Sequence, residues 1–488
     1  MKTNFGSLNK FFHVASYVSF VIYVFAASMI CGILFYLTIL PLRYLAIIIG
    51  VSILFAALFG FLVFRKKTKP TIRNIVLAVE TIFAAAYIAL FIFLNTNLNL
   101  VAALQAGGYK IEEYSVITLK NSPYQDLKSL EGAILATYDD RSDSYKKALS
   151  ELEENVVLTI DNYQDAVKAA EALLNNRASA ILLKNAMREL VAEILPDFNN
   201  DNIKSIHSFK IRTIAEKTAS NNLDITEKPF NILISGIDTR GEISTVSRSD
   251  VNMIITINPK TYQILLTSIP RDYYVQLHDT IGLRDKLTHS GLYGIDMTRK
   301  TLEDLFGINI DYYIRLNFDS TEKIINAIDG IDLTPDTTFT TGGSGHNYIC
   351  HFYANETIHV NGACGLSYAR TRKAYKNGDF HRILNQQEVL VAIIDKLSSN
   401  KSPTAYTDFL SAAEGSIETD IPTSQIYRLI NLQLDKFPHW TINRISVSGT
   451  SSKDYTYSIT TELLYVVEPD MGSVHAATDQ INAILNNL

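Results

Sequence analysis

Phe230–Asp272 reads FNILISGIDTRGEISTVSRSDVNMIITINPKTYQILLTSIPRD, and this stretch decides the fold of the C-terminal half. Three apolar runs lie in it: Phe230–Ser235, Val251–Ile257 and Ile264–Ile269. Each is short, rich in Ile and Val and bounded by turn residues, the pattern of buried strands. Charge gathers at their ends. Asp238 and Arg240 follow the first run, Arg248 and Asp250 precede the second, and Arg271 and Asp272 follow the third. Strands laid side by side would bring these groups to one rim of a sheet, where α/β proteins place their sites.

Toward the C-terminus the chain continues with RDKLTHSGLYG at Arg284–Gly294. Met297–Phe306 reads as a helix stopped by Gly307, and Asp311–Phe318 as a strand. Ser320 is expected to cap a helix ending at Gly330. Ser367–Arg372 reads SYARTR; on an extended strand Arg370 and Arg372 would point the same way. A helix is expected from about Asp379, with Arg382 and Gln386 four apart on one face. Val389, Leu390, Ile393 and Leu397 would be its buried stripe.

Upstream, residues 110–215 alternate short apolar runs with amphipathic stretches. Strands are expected at Tyr114–Leu119, Ala133–Thr137, Val156–Ile160, Ala180–Leu183 and Ile203–Ile211, with helices such as Ser142–Glu153 and Tyr163–Asn175 between them. The alternation predicts a small accessory α/β domain with a largely parallel sheet. Glu216–Lys228 is polar and reads as the linker to a third domain at 229–488.

The first 96 residues differ from the rest. Val14–Leu40, Tyr44–Phe64 and Ile75–Leu94 are apolar runs of the length that spans a bilayer. The cluster Arg65, Lys66, Lys67, Lys69 and Arg73 should be cytoplasmic by the positive-inside rule, which puts everything after the third span outside the cell. Glu80, within that span, reads as a carboxylate near its cytoplasmic end, hydrated or paired between helices, with a functional intramembrane acid as the alternative. The whole chain carries 44 basic and 50 acidic residues, net charge −6, without the basic stripe of a nucleic-acid binder. Cys350 and Cys364 fall in the external part, where a disulfide can persist, and whether they pair is open. No CxxC pair or HExxH helix suggests zinc.

Six arginines could converge: Arg240, Arg248, Arg271, Arg370, Arg372 and Arg382. The carboxylates beside them are Asp238, Asp250, Asp272 and Asp379. Any one Arg–Asp pair reads as a rim salt bridge. Together, arginines in excess of carboxylates call for an anion, and guanidinium forks match phosphate oxygens. One or two Asp, completed by phosphate and water, suit Mg²⁺. The physical expectation is a diphosphate site with its magnesium.

ISGIDTR, SRSDVNMIITIN, SIPRDYYV, DKLTHSGLYG, YARTR and GDFHRILNQQEVL occur in this order and spacing. In them the sequence resembles the LytR–CpsA–Psr family, and the three leading spans with an intermediate domain resemble its capsule-associated streptococcal branch. The resemblance implies an α/β/α catalytic domain with a central mixed sheet. It implies transfer of a capsular or other glycopolymer from an undecaprenyl-diphosphate carrier to peptidoglycan, with capsule synthesis or export proteins as further partners. Mapped by motif, Asp238 and Asp250 would hold magnesium. Arg248, Arg271, Arg370, Arg372, Arg382, Gln386 and Asp379 would contact the diphosphate. Two positions depart from the family pattern: His381, where many members have Gly, and Asn385, where they have a further Arg. His289, in the KLTH motif, reads as a structural hydrogen-bonding histidine.

In the implied reaction a peptidoglycan hydroxyl attacks C1 of the carried sugar, and Asp250 or Asp272 takes its proton. Arg248, Arg271 and the metal would stabilise charge growing on the diphosphate. The prenyl tail needs an apolar groove, expected between the sheet and a helix such as Ser320–Asp329. Hydrolysis, with water as acceptor, is a conceivable side reaction of the same site. The rival readings are a non-catalytic protein that holds lipid-linked polymer, and a regulator of capsule synthesis. The short cytoplasmic segments leave no room for a helix-turn-helix unit.

Overall fold

The computed structural model describes all residues except 1–2, 38–41, 66–67, 105–108, 141, 215–222, 238–242, 343–347, 377, 400–402 and 488. Asp238, Arg240 and much of the expected linker therefore lie outside the described residues. Three helices lead the chain: α1 (Thr3–Leu37), α2 (Leu42–Phe64) and α3 (Pro70–Leu104). Each contains a 23-residue stretch long and apolar enough to cross a membrane. Their aliphatic side chains point mostly outward, while Tyr23, Phe59, Val63 and Ala84 pack inside with Glu80. An outward apolar surface is stable only in an apolar solvent.

The middle domain follows. Its elements are β1 (Tyr109–Leu119), β2 (Ile134–Tyr138), α4 (Asp143–Asn155), β3 (Thr159–Tyr163), α5 (Ala166–Leu174), β4 (Ala180–Lys184), α6 (Arg188–Ile194) and β5 (Ile203–Ile214). Ser142 and Asp165 cap α4 and α5 by accepting hydrogen bonds from Tyr145 N and Lys168 N. The sheet order is β3-β2-β4-β1-β5. Only the β2 pairings are parallel; β1 runs antiparallel to both β4 and β5. The expectation of a largely parallel sheet is thus corrected. β1 and β5 are long strands at the ends of the domain, with no crossover helix to turn them parallel. The third strand also starts later than expected, at Thr159.

In the C-terminal domain β6 (Phe230–Ile237), β7 (Ser249–Asn258) and β8 (Gln263–Ile269) form an antiparallel meander. A small ribbon of β9 (Tyr274–Val275) and β10 (Asp285–Lys286) leads to the one-turn helix α7 (Leu287–Ser290) and to α8 (Ile295–Phe306). Gly307, left-handed at φ 63°, stops α8 as expected. β11 (Tyr312–Asn317) then pairs parallel to β6, and α9 (Phe318–Ala327) follows. The cap of α9 is Asn317; Ser320 sits three residues in and closes a capping box with it, which corrects the expected cap.

Short strands β12 (Ile331–Leu333), β13 (Phe339–Gly342), β14 (Ile349–Phe352) and β15 (Ile358–Val360) make two ribbons before α10 (Gly362–Arg370). A disulfide joins Cys350 on β14 to Cys364 on α10. The chain then runs through α11 (Gly378–Ser399), α12 (Pro403–Ala413), β16 (Ile417–Thr419), α13 (Thr423–Lys436) and β17 (Thr441–Ser446). It ends with the hairpin β18 (Gly449–Asp454) and β19 (Leu464–Pro469) and with α14 (Met471–Leu485).

The six-stranded sheet has the order β16-β11-β6-β7-β8-β17 and is mixed. Alternate residues of the meander face opposite ways. Leu233, Ile254 and Leu265 meet α8 and α14 on one face. Ile232, Ile255 and Leu266 meet α11 and α13 on the other. The domain is an α/β/α sandwich.

Candidate functional site

Register fixes where the charges go. Ile237 at the end of β6 pairs with Ser249 at the start of β7, and Asn252 pairs with Ile269 at the end of β8. The segments following β6 and β8 therefore emerge beside the segment entering β7. Arg248, Asp250, Arg271 and Asp272 stand together at this rim, as the sequence implied. β11 and β17 end at the same rim, since Asn317 pairs with Ile237 and Ser446 with Ser268.

Arg271 Nη1 lies 3.2 Å from Asp250 Oδ2, and its Nε lies 3.4 Å from Asp272 Oδ2. Thr288 donates its hydroxyl to Asp250 Oδ1 at 2.8 Å. Lys286 Nζ lies 3.1 Å from Asp272 Oδ1. Both carboxylates are buried and are oriented by the cations beside them, Asp250 also by the Thr288 hydroxyl. Nothing in the spacing singles out Thr288 or Lys286, although both lie in the DKLTH motif. His289 behaves as read: it is buried, with Nδ1 2.7 Å from Asp285 Oδ1. Gly291 explains the rest of that motif. A Cβ there would meet Ser247 O at 2.5 Å and Ser249 N at 2.6 Å, so only glycine lets α7 press against the backbone carrying Arg248.

Arg248 points elsewhere. Its Nη2 lies 2.8 Å from Glu189 Oε2 and its Nη1 3.0 Å from Glu193 Oε1, both on α6 of the middle domain. Burial works against the Arg248 charge, but Asp250, Glu193 and Glu189 outweigh it and hold the guanidinium above its ordinary range.

The C-terminal motifs reach the same neighbourhood through α11. Gln387 donates to Ser268 Oγ at 2.9 Å, three residues before Arg271. Arg382 is buried and Gln386 half-buried on this helix. Asp379 occupies its second position; its side chain lies outside the described residues. Asn385 Nδ2 donates to Tyr368 O at 3.1 Å and so ties α11 to the end of α10. Gly378 makes the second tie, because a Cβ there would meet Arg372 O at 2.3 Å. Arg370 is the last residue of helix α10, and Thr371 beyond it is extended. The expected strand carrying Arg370 and Arg372 is corrected. Asn361 caps α10, accepting from Cys364 N, and that cap wins over the local strand pattern.

Magnesium can be weighed against this donor set. Asp250 uses one lone pair on each oxygen and keeps others, so it suits a cation that takes one or two carboxylates and fills its shell with phosphate and water. No cluster of three or more His, Cys, Asp or Glu gathers among the described residues.

The LytR_cpsA_psr family model matches residues 200–477, more than half of the sequence. The chain belongs to the LytR–CpsA–Psr family. A Bacillus anthracis protein, polyisoprenyl-teichoic acid–peptidoglycan teichoic acid transferase TagU, is 36% identical over 217 residues, 43% of this chain and 68% of the relative. The Bacillus subtilis transferase TagV is 32% identical over 230 residues, 47% of this chain and 59% of the relative. The crystal structure of B. subtilis TagV covers 54% of this chain and 99% of its own, at 30% identity and a TM-score of 0.45.

Against the LytR–CpsA–Psr pattern, the two departures have local explanations. Asn385 is buried and spent on the α10 tie, so this chain uses the position for structure. His381 stacks on Tyr375 at 3.6 Å between ring centres and lies 3.1 Å from Asp336, which fixes the loop between α10 and α11.

Proposed function

We propose that this LytR–CpsA–Psr protein is a membrane-anchored, magnesium-dependent transferase that moves a glycopolymer from an undecaprenyl diphosphate carrier to peptidoglycan outside the cell. The observation that carries the reading is the rim network of Asp250, Arg271 and Asp272, with Arg248 entering beside it, in a chain whose relatives are named as teichoic acid transferases. The polymer is assigned as capsular because the leading helices and middle domain resemble the capsule-associated branch.

Arg248, Arg271, Arg370, Arg372 and Arg382, with Gln386 and Asp379, hold the diphosphate. Asp250, with Asp238, would hold magnesium, which when bound would supply positive charge to the leaving phosphate oxygens. Asp272, the other carboxylate at the rim, takes the proton of the attacking hydroxyl. Arg271, bonded to both carboxylates, keeps the two roles at a fixed separation. A prenyl tail fits the face of the sheet under α11 and α13, where Ile314, Leu390, Ile394 and Leu429 are only partly buried.

Orientation is supported by Arg43, the second residue of α2, which lies 3.1 Å from Asp435 on α13. That contact supports a reading in which α2 begins on the side of the C-terminal domain, opposite the basic cluster. The test is transfer by the purified full chain, from lipid-linked polymer to peptidoglycan. Asp250→Ala should keep lipid binding and lower attachment at least 100-fold. A wild-type chain that binds lipid yet attaches nothing would establish the holding role instead. The lipid product reports the bond broken: diphosphate for attack at C1, monophosphate for attack at phosphorus.

A further inference from the structure

Arg248 has unusual partners. Its side chain is 9% exposed, whereas those of Glu189 and Glu193 are 63% and 59% exposed. The two glutamates stand four apart on the seven-residue helix α6, on one face, where like charges repel. Arg248 is the cation between them. We infer that Glu189 and Glu193 are stand-in anions on Arg248, and that a diphosphate head must displace them to bind. This rests on the reading of Arg248 as a diphosphate ligand.

The physical case is an asymmetry. A guanidinium this dry is costly without an anion, so some anion must sit on it when no phosphate is present. Two carboxylate oxygens on its two terminal nitrogens copy what two phosphate oxygens would offer. The carboxylates can turn to water at little cost because they are mostly exposed; Arg248 cannot. Arg271 is the contrast, since the side chains of its partners Asp250 and Asp272 are 8% and 9% exposed and have nowhere to go. Of these two arginines, exchange is therefore open to Arg248 alone.

The rest of the interface stays in place during such an exchange. Ile111 N donates to Ser244 O at 3.1 Å and Val246 N to Ile111 O at 2.9 Å, which fastens β1 to the segment leading into Arg248. Asp165 accepts from Thr460 N and Thr461 N at 3.1 Å on another side. Once diphosphate holds Arg248, α6 loses its shared cation and its two carboxylates face each other and the new anion. The middle domain thereby registers whether the site is loaded.

The experiment uses the full chain in detergent at fixed ionic strength, with geranylgeranyl diphosphate and inorganic pyrophosphate as separate probes. Glu189→Gln/Glu193→Gln should bind roughly tenfold more tightly, since two competing anions are gone. A gain with both probes assigns the exchange to any diphosphate; a gain with the lipid alone assigns it to the lipid-linked head. In the wild type, amide exchange across Arg188–Ile194 should speed up when the probe binds. Glu153→Gln/Glu154→Gln makes the same charge change on α4 and should shift affinity less than twofold. Equal gains in both double variants, or weaker binding by Glu189→Gln/Glu193→Gln, would overturn the inference. Arg248→Ala separates the two readings: if it binds both probes as the wild type does, the diphosphate role of Arg248 itself is wrong.

Discussion

The two faces of the central sheet begin from the same sequence pattern and end differently. Leu233, Ile254 and Leu265 are closed over by α8 and α14 and are essentially inaccessible. On the opposite face Ile314 and Leu316 from the strands, Leu390, Val391 and Ile394 from α11, and Ile426 and Leu429 from α13 stay partly exposed. These aliphatic groups lie between two layers, where interiors are normally packed to crystal density. Side chains left partly exposed forgo dispersion contacts that a fully closed core would keep. Under the proposed function the first face serves stability, and the second is the one offered to the prenyl tail.

The largest expected effect tests the closed face. Leu265→Ala should cost about 4 kcal/mol, because the vacated space cannot collapse between β7, β8 and α14. Leu390→Ala on the open face should cost less than half of that, since its side chain is already partly in solvent or lipid. Hydrogen exchange of the β7 and β8 amides in the full chain measures both. Equal costs would abolish the distinction between the faces.

A second, smaller effect lies at the margin of the closed face and depends on pH. Asp420 accepts from Tyr313 N at 2.7 Å and lies 3.4 Å from Arg299. Burial outweighs both and pushes its carboxyl up to about 6. The unfolded chain loses this proton near the ordinary pKa, about 4, while the folded chain keeps it. Stability is therefore lost as pH rises from about 4 to about 6, by about 2 kcal/mol after a discount for partial exposure. Asp420→Asn keeps the acceptor for Tyr313 N and removes the titration. Relative to the wild type, its thermal midpoint should rise between pH 4 and pH 7. Affinity for a polyprenyl diphosphate should not follow the same curve, because Asp420 lies on the other face.

The sequence made the sheet legible because β6, β7 and β8 are fully apolar runs that turn residues delimit. It made the rim legible because the charges flank those runs directly, so placing the strands places Arg248, Asp250, Arg271 and Asp272. The helix under Arg370 was hidden. α10 contains Gly362 and Gly365, poor helix formers, which are there because a Cβ would strike Glu322 O at 2.1 Å and Ile325 Cδ1 at 2.7 Å. Close packing against α9 overrides propensity, and no window of local sequence reports it. The pairing of Arg248 with Glu189 and Glu193 joins residues more than fifty positions apart across two domains. Nothing in the spacing of either segment points to the other. The antiparallel half of the middle sheet was hidden for the same reason, since β1 finds its partners at the far end of the domain.

The smallest effect bears most directly on the open face. Ile394→Trp adds bulk to α11 where the side chain is partly exposed, so the ring has room and the fold should be retained. If a prenyl chain runs between this face of the sheet and α11, the indole takes part of its path. Geranylgeranyl diphosphate should then bind about tenfold more weakly, about 1.4 kcal/mol. Inorganic pyrophosphate, which has no tail, should bind as before, because Arg248 and Arg271 stand at the rim and not beneath the helix. A matched loss for both probes would mean that the ring disturbs the rim through Gln387 and Ser268, which are bonded seven residues before it on the helix. Unchanged binding of both would place the tail elsewhere and leave the looseness of this face without a ligand to explain it.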